Sequence, residues 1–372
     1  MANEAASHSS PSFRVGGLAP SELFWRDHQK WLEERGYMLR PRYHPGWTPS
    51  WTGTNKRPHD CEDGPLPYKQ MDARRISDDT IVILKRVSAR ESSDIELKMA
   101  PLFSTEPYAS DARNHCIPIY ETLEIPNTRE QVILVMPCLR SWEHLPFDTI
   151  GEVVEFCRQT FEGLQFMHEH HIAHNDVKFN NILMDSRPLY DQPMHPVKSD
   201  RTYDWKRRVK PKGRTRRPVQ YYYIDFDLCE QYNPAVGKAQ KVPGYGGDRA
   251  LPEFKHSDRL CDPFAVDVYR LGNIIRSRIV GGSYDSKLPR NPAFAFMQPL
   301  LDDMTQENSE KRPNMDQVVK RFTDIVASLN QWKLRSPAQQ NRSFTSWVVN
   351  RPLHWSRQFY YLMTRVPAIP TP

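Results

Sequence analysis

His174-Asn175-Asp176-Val177-Lys178-Phe179-Asn180-Asn181-Ile182-Leu183 leaves a helical pattern and runs into an apolar pair that reads as a short strand. Inside this one loop lie a carboxylate (Asp176), an ammonium two residues on (Lys178) and a carboxamide five residues past the acid (Asn181). A carboxylate can take the proton of a hydroxyl, an ammonium can hold a phosphoryl oxygen, and a carboxamide oxygen can ligate a hard cation. Together they are suited to phosphoryl transfer, where positioning and charge neutralisation outweigh covalent chemistry.

Upstream, Ile150, Val153, Val154, Cys157, Phe161, Leu164 and Met167 recur at helical spacing, which predicts a helix over 148–171 delivering the chain to the loop. Downstream, a tyrosine-rich apolar strand over Val219–Ile224 ends on a second acid in Ile224-Asp225-Phe226-Asp227.

The order H-x-D-x-K-x-x-N resembles the catalytic loop of the eukaryotic protein kinases, and Asp225-Phe226-Asp227 is placed like their D-F-G. The likeness extends over about residues 37–332 and is closest to the divergent kinase-like proteins of fungi. It implies an α+β, bilobal protein-kinase-like fold, with a small mainly β N-lobe over 37–139 and a larger mainly α C-lobe over 140–332. The strand Ile81-Val82-Ile83-Leu84-Lys85 ends where kinases carry V-A-I-K. On residue type alone Lys85 is a snorkelling edge lysine; by resemblance it clamps the α/β-phosphates of ATP, set by Glu96 on a short helix capped by Ser92 or Ser93. Met136-Pro137-Cys138-Leu139 resembles the gatekeeper and hinge, with the Pro137 carbonyl and the Leu139 N–H facing the adenine. On the same basis Asp176 accepts the substrate proton, Lys178 steadies the γ-phosphoryl group, and Asn181 and Asp225 hold Mg²⁺. His174 and Phe226 are structural. Leu251-Pro252-Glu253 resembles A-P-E, Asp267-Val268-Tyr269-Arg270-Leu271-Gly272 the D-x-W-x-x-G helix whose acid holds the catalytic loop, and Arg312 is placed to pair with Glu253.

Several positions depart from that pattern. No G-x-G-x-x-G precedes the first strands, Asp227 replaces glycine, and Gly246-Gly247 stand where a threonine bridges acid and lysine. Asn175 replaces the arginine that receives an activation-segment phosphate, and 225–253 contain no serine or threonine to carry one. Three functions stay open. The first is transfer to protein Ser/Thr hydroxyls, favoured over Tyr by Lys178 two residues after Asp176. The second is a pseudokinase scaffold. The third is a small-molecule phosphotransferase of the choline or aminoglycoside kinase type, which also carries H-x-D…N and I-D-F-D-like segments.

The remaining chain sets limits. Among 372 residues 38% are hydrophobic and 32 are proline, which predicts a loop-rich globular protein. No apolar run reaches the ~18 residues of a membrane span, and MANEAASHSSPSF is unlike a signal peptide. The six cysteines (Cys61, Cys116, Cys138, Cys157, Cys229, Cys261) form no CxxC pair and read as reduced thiols. An intracellular protein of cytoplasm or nucleus, with a protein substrate and no membrane partner, is expected; nothing bears on oligomeric state. Residues 1–19 read as disordered, and 20–36 as one helix starting at Ser21 and stopping at Gly36, with a strand at Tyr37–Tyr43. An insertion at 185–218 has ten Lys/Arg against two Asp between Lys198 and Arg217. It reads as a disordered solvated loop or as a nuclear-import or nucleic-acid patch. The tail, 333–372, has six Lys/Arg, no acid and several aromatics, and is expected to dock on its own domain.

Overall fold

The computed structural model describes residues 18–55, 69–89, 95–243, 251–256, 258–281, 291–338 and 344–372. The readings placed on residues 1–17, on Ser92 and Ser93, and on Gly246-Gly247 lie outside these residues. The first part of the chain forms α1 (Pro20–Asp27), α2 (Gln29–Glu34), β1 (Tyr37–Met38), β2 (Gln70–Arg75), β3 (Ile81–Ser88), α3 (Ile95–Leu102), β4 (Glu121–Glu124) and β5 (Gln131–Pro137). The chain divides into two compact units, one mainly β and one mainly α. The first takes in Met1–Arg86, Ile133–Cys138 and Gln192–Lys210; the rest forms the second.

In the first unit β1, β2, β3 and β5 lie side by side in that order. β2 and β3 are antiparallel with Gln70 opposite Lys85 and Arg74 opposite Ile81, a hairpin that turns through Ser77-Asp78-Asp79. Two expectations fail nearby. The N-terminal helix breaks at His28, whose φ −104° and ψ 6° lie outside the helical region, and it begins at Pro20, whose fixed φ suits a first turn. The strand expected to reach Tyr43 ends at Met38, because Pro41 opens a 3₁₀ turn over Pro41–Tyr43.

The insertion is not a disordered loop. Residues 192–210 join the first unit, where Tyr203 donates its hydroxyl to Asp72 at 3.0 Å. Asp72, fully buried on β2, is also paired with Arg40 at 3.0 Å. Composition misread this segment because its charges dominate the count, whereas its anchors are few: Tyr203, His195 and Thr202.

The second unit is built on α4 (Ile150–Glu169). All seven apolar residues predicted for its inner face are buried, each contributing about 1.5–3 kcal/mol. The helix is shorter than predicted, since Thr149 caps its first turn by accepting from the Glu152 N–H. A small sheet orders β6 (Arg140–Ser141), β8 (Ile182–Met184) and β9 (Tyr221–Tyr223) side by side, while β7 (Ile172–Ala173) pairs with β10 (Glu230–Gln231). Then follow α5 (Pro263–Ile274), α6 (Gln298–Met304), α7 (Met315–Ala327), α8 (Gln331–Arg335) and α9 (Phe344–Met363).

His115 is sealed between α4 and β9, its Nδ1 3.1 Å from the Tyr221 carbonyl. Burial pushes its imidazole down to about 4, against about 6.5 in an unfolded chain. The unfolded state therefore binds the extra proton first, so this contribution is complete above pH ~6.5 and lost as the pH falls towards 4, on the order of 3 kcal/mol. His115→Gln should flatten that acid limb in urea titrations at stepped pH; an unaltered limb would count against this account.

The tail packs on its own unit. Arg335 donates to the Val366 carbonyl at 2.6 Å, His354 to the Arg335 carbonyl at 2.8 Å, and Arg357 binds Asp148 at 2.7 Å. Gly151 on α4 makes room for it, since a Cβ there would overlap the carbonyl of Ala368. Gly151→Val should cost about 1–3 kcal/mol by overpacking and speed proteolytic trimming from the C-terminus; unchanged trimming and melting temperature would contradict the contact.

Candidate active site

Asp267, wholly buried on α5, organises the catalytic loop. Its Oδ2 accepts from the His174 N–H at 2.7 Å and its Oδ1 from the Asn175 N–H at 2.9 Å. One turn along the same helix, Arg270 donates to the Asn175 carbonyl. Asn175 has φ +60°, a left-handed conformation that asparagine tolerates better than most residues. Its amide donates to the Leu228 carbonyl at 3.0 Å, joining the loop to the segment after Asp225. The β7–β10 pair makes a second such joint, with Ala173 opposite Glu230.

His174 is fully buried, and burial holds its imidazole below the usual histidine range. Nδ1 accepts from the Asp176 N–H at 3.3 Å while Nε2 lies 3.2 Å from the Ile224 carbonyl, which assigns a neutral ring protonated on Nε2. Its ring lies 5.6 Å from that of Phe226, which lies 5.2 Å from Phe103 just beyond α3. This buried column ties the loop, the Asp225 segment and α3 together.

The carboxylate of Asp176 is held asymmetrically. Oδ2 accepts from Lys178 Nζ at 2.6 Å and from Asn181 Nδ2 at 2.8 Å. Oδ1 is buried with no hydrogen-bond partner among the described residues. Asn181 Nδ2 also reaches the Asp176 carbonyl at 3.0 Å, which leaves its amide oxygen as an acceptor, and its own carbonyl accepts from the Ile224 N–H at 3.0 Å.

Asp225 adopts φ +68°, ψ 69°. One oxygen each of Glu96, Asp225 and Asp227 lie within 4.8 Å of one another, with Glu96 buried and Asp227 exposed. Such a set of hard oxygen donors fits Mg²⁺. Glu96 sits in the first turn of α3, with Pro101 inside the same helix.

The other predicted residues fall as follows. Lys85, half-buried on β3, and Met136 and Pro137, at the buried end of β5, belong to the first unit. Leu139 follows β5 and belongs to the second. Arg312 pairs with Glu253 at 2.6 Å and lies 4.8 Å over the Tyr269 ring. Residue reading gave no role to Phe103, to Arg270 or to the Asn175 side chain. Arg270 was detectable as the same-face neighbour of Asp267; Phe103 lies beyond Pro101, where the helical pattern stops.

A family model described as the protein kinase domain matches residues 70–275. The chain belongs to the protein kinase family. The match spans β2 to α5 and so includes Lys85, the catalytic loop, Asp225 and Asp267; the Glu253–Arg312 pair adds a contact from beyond it. Serine/threonine-protein kinase oca2 of Schizosaccharomyces pombe is 28% identical over 123 residues, covering 30% of this chain and 18% of that kinase. The chain thus spans under a fifth of that kinase's length. Against this family background, Asp227 puts a third carboxylate beside Asp225 and Glu96, and Asn175 makes a hydrogen bond to the Asp225 segment that needs no phosphate.

Proposed function

We propose that the chain transfers the γ-phosphoryl group of ATP, with Mg²⁺, to serine and threonine hydroxyls of protein substrates. The observation carrying this reading is the divided duty of Asp176: Lys178 and Asn181 hold Oδ2, and Oδ1 stays unpartnered in a buried setting. An acceptor left without a partner suits a hydroxyl that must give up its proton. Lys178 opposes the charge of the transferred group. Asn181 and Asp225, with Glu96 and Asp227 nearby, would hold Mg²⁺, which neutralises phosphate charge when bound. Lys85, Met136, Pro137 and Leu139 take the phosphate-clamp and adenine roles. Because 225–253 lack serine and threonine, the Asn175–Leu228 bond serves where other kinases use a phosphorylated residue.

Radiolabelled ATP with Mg²⁺ and matched Ser/Thr and Tyr peptides tests the reading. Label in the Ser/Thr peptide supports it; nucleotide-induced stabilisation without transfer favours a scaffold, and labelled choline or aminoglycoside a small-molecule kinase. Asp225→Asn should abolish the Mg²⁺-dependent part of ATP-induced thermal stabilisation. Equal shifts with and without chelator in both proteins would remove Asp225 from the metal role.

A further inference from the structure

Residues 198–210 hold six cations, Lys198, Arg201, Lys206, Arg207, Arg208 and Lys210, against two acids, Asp200 and Asp204. They form a tight hairpin. Arg201 and Arg208 are antiparallel bridge partners, Thr202 N–H donates to the Arg207 carbonyl at 2.9 Å, and Val209 N–H to the Asp200 carbonyl at 2.9 Å. The hairpin is fixed to the first unit through Tyr203 and Asp72. Bridge partners point to one face of a two-stranded pair, so two arginines stand directly opposite each other, an arrangement that costs stability when nothing lies between them. Among the described residues no carboxylate pairs with Lys198, Arg201, Arg208 or Lys210, and Asp204 is turned to Thr202 at 2.6 Å and Lys206 at 3.6 Å. Arg207 belongs to the other face, where with Ile81, Pro193 and Tyr203 it lines a cavity of about 350 Å³.

We infer that the Arg201–Arg208 face of this hairpin is a docking clamp for a phosphorylated segment of a partner protein. Two arginines on bridge-paired positions can each offer a fork of N–H donors to one phosphate dianion, whose charge offsets the repulsion between them. A single-stranded nucleic acid would also supply phosphates, but it binds by stacking bases on open aromatic rings. Both aromatics of the hairpin are engaged: Tyr203 is hydrogen-bonded to Asp72, the Arg201 guanidinium lies 5.7 Å from the Trp205 centroid, and His195 meets Trp205 edge-on at 4.8 Å. Binding at this face requires neither nucleotide nor Asp176, so it stands or falls apart from the phosphoryl-transfer reading.

The test is fluorescence anisotropy of the full chain at physiological ionic strength. The probes are a labelled Gly/Ala peptide carrying paired phosphoserines, its serine counterpart, and labelled oligouridylate. The phosphopeptide should bind about tenfold or more tighter than the serine peptide, and the Arg201→Gln/Arg208→Gln protein should lose most of that difference. Arg207→Gln, which removes a charge of the same sign on the other face, should change it by only about twofold. An unchanged circular dichroism spectrum and Tm for each variant separates lost binding from lost folding. Equal binding of the two peptides, tighter binding of the oligouridylate, an Arg207→Gln loss as large as that of the double variant, or no phosphopeptide binding would each overturn the clamp.

Discussion

Asp176→Ala should lower the rate of phosphoryl transfer by about 10²–10⁴-fold, the usual contribution of a positioned base. The loss should fall on kcat and not on KM for nucleotide, as expected for a base that acts on the hydroxyl in the transition state. Asp176 Oδ2 is engaged by Lys178 and Asn181, so the substitution also frees the Lys178 ammonium and weakens its hold on the transferred group. Asp176→Asn separates the two effects: the amide keeps an oxygen for Lys178 and Asn181 but has no base to offer, and its activity should be as low as that of the alanine variant. Single-turnover rates at saturating MgATP measure both. A loss confined to KM would assign Asp176 to binding, and an unchanged rate would remove it from the chemistry.

Asp267→Ala should cost stability out of proportion to the size of the side chain. The carboxylate is fully buried and accepts the backbone N–H groups of His174 and Asn175 at 2.7 and 2.9 Å. Its removal strands two buried donors at about 1–3 kcal/mol each, and the cavity adds to that. A total of roughly 3–5 kcal/mol is expected from urea unfolding. Asp267→Asn keeps the volume and one acceptor, and should lose about half as much. Transfer activity should collapse in both variants even below the unfolding transition, since the turn at Asn175 that aims Asp176 depends on these bonds. A loss under about 1 kcal/mol would show that other contacts hold the loop.

Much of this site was legible in the residues because its chemistry is local. Asp176, Lys178 and Asn181 sit within six positions, and the structure joins all three by hydrogen bonds. The α4 face was legible for another reason: its seven apolar residues recur at helical spacing, and the structure buries each of them. Contacts depending on three-dimensional approach were harder to read. Phe103 follows a proline that ends the pattern, yet it completes the ring column with Phe226 and His174. Asp227 read as a lost glycine, whereas its carboxylate comes within ligand distance of Glu96 and Asp225.

The insertion marks the limit of compositional reading. A run rich in Lys and Arg is read as solvated and unfolded because its net charge opposes collapse. Here Tyr203, inside the run, is held by the buried Asp72–Arg40 pair outside it. Similarly, the N-terminal helix broke at His28, whose backbone leaves the helical region although no glycine or proline there marks a stop.

The most direct measurement of the central claim is transfer of label from γ-radiolabelled ATP to a generic protein substrate, with Mg²⁺, by the unmodified chain and by Asp176→Ala prepared in parallel. The account predicts phosphoserine or phosphothreonine in the substrate with the unmodified chain and none above background with the variant. Label at equal levels in both, or none in either while MgATP still raises the melting temperature, would contradict it.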